Sequence, residues 1–358
     1  MWPDLRLIAL FRIKHPIVLA PMAGAMDCEL AAEVANAGGL GSLPCGMLTP
    51  DKIRDEVDRF RAHTQAPINL NFFSHAAPVP NNAREARWRE RLAPYYRELG
   101  VDPAAQAPQT NRAPFDSNAL RAVLEIKPEV VSFQYGLPDE TLLAPLRHAG
   151  IPIVGCATTV AEARWLEARG VAAIVAQGVE AGGHRGMFLD SNIAGQVGTF
   201  ALVPQIVDAV KAPVIAAGAI ADARGIAAAF ALGAAGVQIG TAYLRCPESK
   251  IAAPYRAALA SVTDETTVLT NVISGRPARG IVNRLMRELG PMSHDVPEFP
   301  LAAGALAPLR AKAEAAGSGD FSPLWSGQAA SLGREMPARE LTAKLAADAQ
   351  AILQRMAT

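Results

Sequence analysis

Eight short apolar runs, each bounded by glycine, proline or asparagine, punctuate residues 17–242. They are IVLAPM (17–22), GLGSLP (39–44), INLNFF (68–73), VVSFQYG (130–136), IPIVGCA (151–157), AAIVAQG (172–178), PVIAAGAI (213–220) and GVQIGTA (236–242). Their apolar character is nearly continuous rather than alternating, which is the pattern of strands buried on both faces of a parallel sheet. Helix-like segments lie between them. DCELAAEVANAGG opens on Asp27 as an N-cap and stops at Gly38, and TVAEARWLEARG runs from Thr159 to Gly170. Regular alternation of strand and helix predicts an α/β chain with right-handed crossovers. Eight strands predict the closed solution, a (β/α)8 TIM barrel. The rival, a doubly wound open sheet, would carry a glycine-rich fingerprint after its first strand. Here that strand leads into APMAGAMD, where Gly24 is the one glycine before Gly38.

Three regions break the rhythm. Residues 74–118 form a long insertion, with a helical pattern in NNAREARWRERLAPYYREL followed by a Pro/Ala/Gln-rich loop. Residues 246–310, which include ISGRPARGIVNRLM, read as an additional, mainly helical substrate-binding cap or lid. Residues 311–358 end in the amphipathic ARELTAKLAADAQAILQRMA and read as helices packing back on the barrel. The expected organisation is therefore a ligand-binding barrel over 1–245, a cap over 246–310 and a helical tail.

Lysine plus arginine and aspartate plus glutamate each total 34, so the broad basic surface of a nucleic-acid-binding protein is not expected. The N-terminal stretch lacks a secretory signal pattern, and no run of apolar residues is long enough for a membrane span, so a soluble cytoplasmic protein is expected. Cys28, Cys45, Cys156 and Cys246 form no CxxC pair and are expected to be reduced, mostly buried thiols. No His/Asp/Glu cluster has metal-ligand spacing, and no GxSxG elbow is present.

In such a barrel the chemistry sits at the C-terminal ends of the strands. Those ends carry Pro21 and Met22, Pro44, Asn71, Gln134, Gly155, Gln177 with His184 just beyond, Gly218, and Gly240 with Thr241. Taken singly, each is an ordinary strand-ending turn residue; on one face they mark a ligand site. The glycines closing the last two runs, with helix N-termini near and the Thr241 hydroxyl as a donor, predict a phosphate cradle. Tight helix–strand packing is the other reading of those glycines. In QGVEAGGHRG (177–186), Gly182 and Gly183 would expose backbone amides and supply little packing around His184. That histidine then reads as a base or hydrogen-bond donor facing a ligand, or as a surface residue. Arg185 would attract an anion or point to solvent.

The pieces LAPMAGAMDCELAAEVANAGGLG, NLNFF, SFQYGLP, AQGVEAGGHRG, VIAAGAIAD, VQIGTAYLRCPES and LWSGQAA, spread over residues 17–330, together resemble the class I nitronate monooxygenases, FMN-dependent (β/α)8 enzymes. The resemblance implies that Asn71 and Gln177 hydrogen-bond the flavin ring and that Pro21, Met22 and Ala23 lie against it. It implies that Gly182, Gly183, Gly218, Gln238, Ile239, Gly240 and Thr241 hold the ribityl phosphate and its surroundings, with His184 at the reactive edge. Gln134, where the family usually has a histidine, Tyr255 and Lys312 are the implied substrate-pocket residues. The implied reaction oxidises an alkyl nitronate such as propionate 3-nitronate with O2 to a carbonyl compound and nitrite, through a flavin semiquinone, in a monomer or homodimer. An FMN-dependent NAD(P)H reductase of the enoyl-acyl-carrier-protein or quinone type, on the same fold, is the alternative. A flavin-free binding barrel is the third.

Overall fold

The computed structural model describes residues 1–102 and 112–357. The strands in chain order are β1 (Ile17–Leu19), β2 (Gly41–Pro44), β3 (Ile68–Phe73), β4 (Val130–Gln134), β5 (Ile153–Ala157), β6 (Ala173–Gln177), β7 (Gly183–His184), β8 (Val214–Ala217), β9 (Gly236–Ile239), β10 (Thr267–Thr270) and β11 (Ala278–Ile281). Eight of them form one parallel sheet in the order β1-β9-β8-β6-β5-β4-β3-β2. A parallel bridge between Val18 and Leu40 joins its two ends, closing the TIM barrel that the run count predicts.

Side chains alternate along each strand. Ile17, Leu70, Phe133, Ile174, Val214 and Val237 pack outward in the layer between strands and helices. Val18, Val154, Val175 and Ile215 point inward and meet Leu7 and Phe11 from the helix Arg6–Phe11. Full burial of such a side chain contributes roughly 1.5–3 kcal/mol. Both faces of β1, β4, β5, β6 and β8 are therefore apolar near the barrel floor, which explains their unbroken runs. Towards the mouth the inward positions turn polar: the Asn69 amide donates to Ser42 Oγ (3.0 Å) and the Asn71 amide to Ser132 Oγ (2.9 Å).

Both helix starts expected from Asp27 and Thr159 are capped by those residues. Asp27 accepts from the Glu29 amide (3.0 Å), opening Cys28–Asn36, and Thr159 accepts from the Glu162 amide (3.2 Å), opening Val160–Glu167. All four cysteines are free and buried.

The insertion helix Asn82–Glu98 packs with the cap. Trp88, Leu92, Tyr95 and Tyr96 share a second hydrophobic core with residues of 272–321, among them Leu285, Leu306 and Phe321. The Pro/Ala/Gln-rich loop falls largely on 103–111, outside the described residues. Besides its helices, the cap contains a small antiparallel sheet, β10-β11-β7, whose third strand belongs to the QGVEAGGHRG loop; His184 pairs with Ala278 and Gly183 with Arg279. The tail helix Ala338–Ala357 returns to the barrel, burying Leu341, Leu345 and Ala349 in the main core and seating Thr342 Oγ1 2.8 Å from Tyr243 Oη.

Candidate active site

Strands β1, β4, β8 and β9 end two or three residues before their apolar runs do, and the leftover residues peel away as loops. These loops line a cavity of about 390 Å³ at the C-terminal mouth. Ala20–Ala25 follow β1, Tyr135 follows β4, Gly218–Ala221 follow β8, and Gly240 and Thr241 follow β9. Tyr255 and Phe299 of the cap, Pro323, Trp325 and Gly327 from the segment after it, and Arg112 of the insertion line further parts of the wall.

Backbone donors dominate one end. The N–H groups of Gly218, Ala219, Ile220, Gly240 and Thr241 donate to no other described residue, and all five residues line the cavity. Unpaired amides converging on one space form an anion-binding concavity. Gly218 (φ +114°) and Ala219 (φ +55°) hold left-handed backbone there. The neighbouring helix Ala223–Ala231 is not the donor, because Asp222 already caps its first amides. Space also constrains Gly218, since a Cβ there would sit 2.7 Å from Thr199 Oγ1. The Thr241 hydroxyl accepts from the Gly327 amide (3.0 Å) and keeps its own proton.

The other end surrounds His184. Its ring lies 5.2 Å from the Trp325 ring, 5.3 Å from Phe299 and 6.3 Å from Tyr135, so distant segments supply the packing that its glycine neighbours lack. Its Nε2 is 2.8 Å from Ser274 Oγ. Burial, followed by the Arg112 and Arg276 guanidiniums and His75, holds its pKa at about 3, so the ring is neutral. His75 is buried behind it, with both ring nitrogens unpartnered and its pKa lowered to about 4 by burial and Arg276. Tyr135 Oη and Arg276 Nε are also buried without partners. Arg276 Cζ stacks 3.9 Å from the centre of the Tyr135 ring, and Arg112 Cζ lies 5.8 Å from that of Phe299. Among the described residues no carboxylate pairs with either arginine.

The loop that carries His184 is anchored at nearly every residue. Gln134 and Gln177 each donate a side-chain amide to the His184 carbonyl (3.2 and 3.1 Å), and Gln177 Oε1 accepts from the Gly186 amide (2.7 Å). Glu180 accepts from the amide and hydroxyl of Thr199 at the start of the helix Thr199–Ala209. Gly182 is small because a Cβ would lie 2.5 Å from the Gly327 nitrogen; its lack of bulk makes room for protein rather than for a ligand. Gly183 faces open space at φ +75°. Arg185 neither meets a ligand nor points to solvent. It is fully buried, donating to the carbonyls of Gln177 (2.7 Å) and Gly178 (2.6 Å) and to Gln196 Oε1. A buried carbonyl needs a donor, and the guanidinium fork serves two at once.

Of the residues singled out from the sequence, Pro21, Met22, Ala23, Asn71, Gln134, Gln177, Gly182, Gly183, His184, Gly218, Gln238, Gly240, Thr241 and Tyr255 line the cavity. Tyr255 has its hydroxyl committed to the Trp325 carbonyl. Ile239 does not line it: its side chain is buried in the layer between barrel and helices. Lys312 is exposed on the helix Ala302–Ala315, whose cavity-facing residues are Arg310 and Glu314. Pro44 lies outside the lining. Gly155 faces outward, where a Cβ would meet the Leu166 side chain at 2.6 Å. Sequence reading missed His75, Arg112, Tyr135, Ser274, Arg276, Phe299 and Trp325. Position just beyond β3 and β4 could have flagged His75 and Tyr135; the cap residues carry no periodic signal.

A family model described as nitronate monooxygenase matches residues 5–348. A nitronate monooxygenase of Paraburkholderia phytofirmans is 44% identical, covering 95% of this chain and 93% of the relative. Another, from Pseudomonas aeruginosa, is 41% identical over 94% of this chain and 96% of its own. The solved nitroalkane oxidase of Streptomyces ansochromogenes superposes with a TM-score of 0.89 at 38% identity, covering 99% of this chain and 100% of its own.

Proposed function

The chain belongs to the nitronate monooxygenase family, a family of oxidoreductases, and from that membership we propose that it is an FMN-dependent enzyme oxidising alkyl nitronates, such as propionate 3-nitronate, with O2 to a carbonyl compound and nitrite. The observation that carries this reading is the two-ended cavity, with unpaired backbone amides at one end and, at the other, a neutral histidine among aromatic rings and two guanidiniums that no carboxylate of the described residues pairs.

The residues present fit FMN. The amides of Gly218, Ala219, Ile220, Gly240 and Thr241 would hold its phosphate, with the Thr241 hydroxyl as a further donor. Pro21, Met22 and Ala23 would lie along the ring, with Gln238 and the Gly182–Gly183 backbone beside it. Asn71 keeps an unshared amide oxygen for the ring, and Gln177, whose amide is tied mainly to the 184–186 loop, keeps one N–H. Bound FMN supplies the electron acceptor and the reactivity towards O2 that these side chains lack.

The protein's own part is to bind and orient an anion. A neutral His184 does not meet the nitronate with positive charge; Arg112, which lines the cavity, and Arg276 behind Tyr135 do. Tyr135, Phe299 and Trp325 keep water from that end, which strengthens the attraction. In air, the purified protein should release nitrite from propionate 3-nitronate, and NADH should leave its flavin oxidised under anaerobic conditions. No nitrite, together with rapid bleaching by NADH, would replace this reading with the reductase alternative.

A further inference from the structure

His184 is gripped twice, and the two grips do different things. Gln134 and Gln177 hold its carbonyl, which places the main chain. The ring is held by Ser274, from the ISGRPARG segment of the cap, whose side chain is buried.

A neutral imidazole carries one N–H, and its hydrogen bonds decide which nitrogen bears it. The Ser274 hydroxyl also has one proton, and it lies 3.3 Å from the Arg276 carbonyl, which can only accept. Both contacts are satisfied together in one arrangement: Oγ–H donates to the Arg276 carbonyl, and Nε2–H donates to Oγ. The opposite assignment spends the hydroxyl proton on Nε2 and abandons the carbonyl. Nδ1 has no partner among the described residues and is not among the buried unpartnered atoms, so it opens on the cavity. We propose that Ser274 is a positioning residue that fixes His184 as the Nε2–H tautomer and presents Nδ1 to the cavity as a hydrogen-bond acceptor.

The surroundings agree. Arg112 from the insertion, His75 beyond β3, and Arg276 between β10 and β11 are the charged or titratable groups acting on the ring, and all three disfavour a second proton. Tyr135, Phe299 and Trp325 pack around the ring and oppose its rotation.

The test is ¹⁵N NMR of histidine-labelled protein with the flavin it retains, with His184→Asn identifying the resonances. The expected spectrum shows a bare Nδ1 and a protonated Nε2 at neutral pH. Ser274→Ala should give mixed or reversed tautomers, and Ser274→Thr should restore the wild-type pattern. A protonated Nδ1 in the wild type would overturn the proposal, as would an unchanged tautomer in a folded Ser274→Ala protein. Should Ser274→Ala fail to fold, the wild-type and Ser274→Thr spectra still decide. The consequence for turnover rests on the proposed nitronate chemistry: Ser274→Ala should change kcat/KM about tenfold, one hydrogen bond's worth, and shift its pH profile at unchanged flavin content. If the wild type releases no nitrite, that chemistry fails while the tautomer still stands or falls by NMR.

Discussion

Two histidines, His75 buried and His184 half-buried against the cavity, disfavour a second proton. His184 and His75 titrate at about 3 and about 4 in the folded chain, against 6.5 for a free side chain, chiefly because burial penalises the charged form. Between those values and 6.5 the unfolded chain binds protons that the folded one refuses, so stability falls as pH drops below about 6.5. The loss from pH 7 to pH 5 is on the order of 2 kcal/mol per histidine. Urea midpoints of His75→Gln and of the double variant with His184→Asn should fall less over this range than the wild type's. Equal falls would mean that the two rings take up protons in the folded chain as readily as in the unfolded one. Residues also show where sequence reading misleads. Arg185 beside three glycines looks exposed, yet the glycine-rich loop leaves carbonyls at Gln177 and Gly178 that only an inserted donor can satisfy.

At the scale of elements, the barrel was legible because its strands are buried on both faces, and that burial writes itself into the sequence as unbroken apolar runs. The strand ends were legible for the same reason, and with them Asn71, Gln177, Gly218 and Gly240. The cap was less so, because its core joins the insertion helix Asn82–Glu98 to segments nearly 200 residues later, a pairing that no local period records. Trp88 is central to that core and fully buried. Trp88→Ala should cost about 3–5 kcal/mol, read as a lowered denaturation midpoint. A change below about 1 kcal/mol would show that the insertion helix does not support the cap.

For the whole molecule, the division of labour follows from topology. The barrel's last strands supply backbone amides of the kind that can hold an anion without any basic side chain, so balanced overall charge is no bar to the proposed phosphate site. The cap closes over the His184 end of the cavity, and barrel and cap meet in the sheet where β7 of the barrel loop pairs with β11 of the cap. Half-buried Arg276 of the cap and Arg112 of the insertion, rather than any visible motif, bring positive charge to that end of the cavity. Among the described residues, no helix is long and apolar enough to cross a membrane. The central claim is that the barrel mouth is a flavin cradle opening on this chamber, and a crystal structure of the purified protein with FMN tests it most directly. The account predicts one FMN per chain, its phosphate on the amides of Gly218, Ala219, Ile220, Gly240 and Thr241 and its ring reaching towards His184. A colourless protein that takes up no added FMN, or a flavin bound anywhere else, would contradict it.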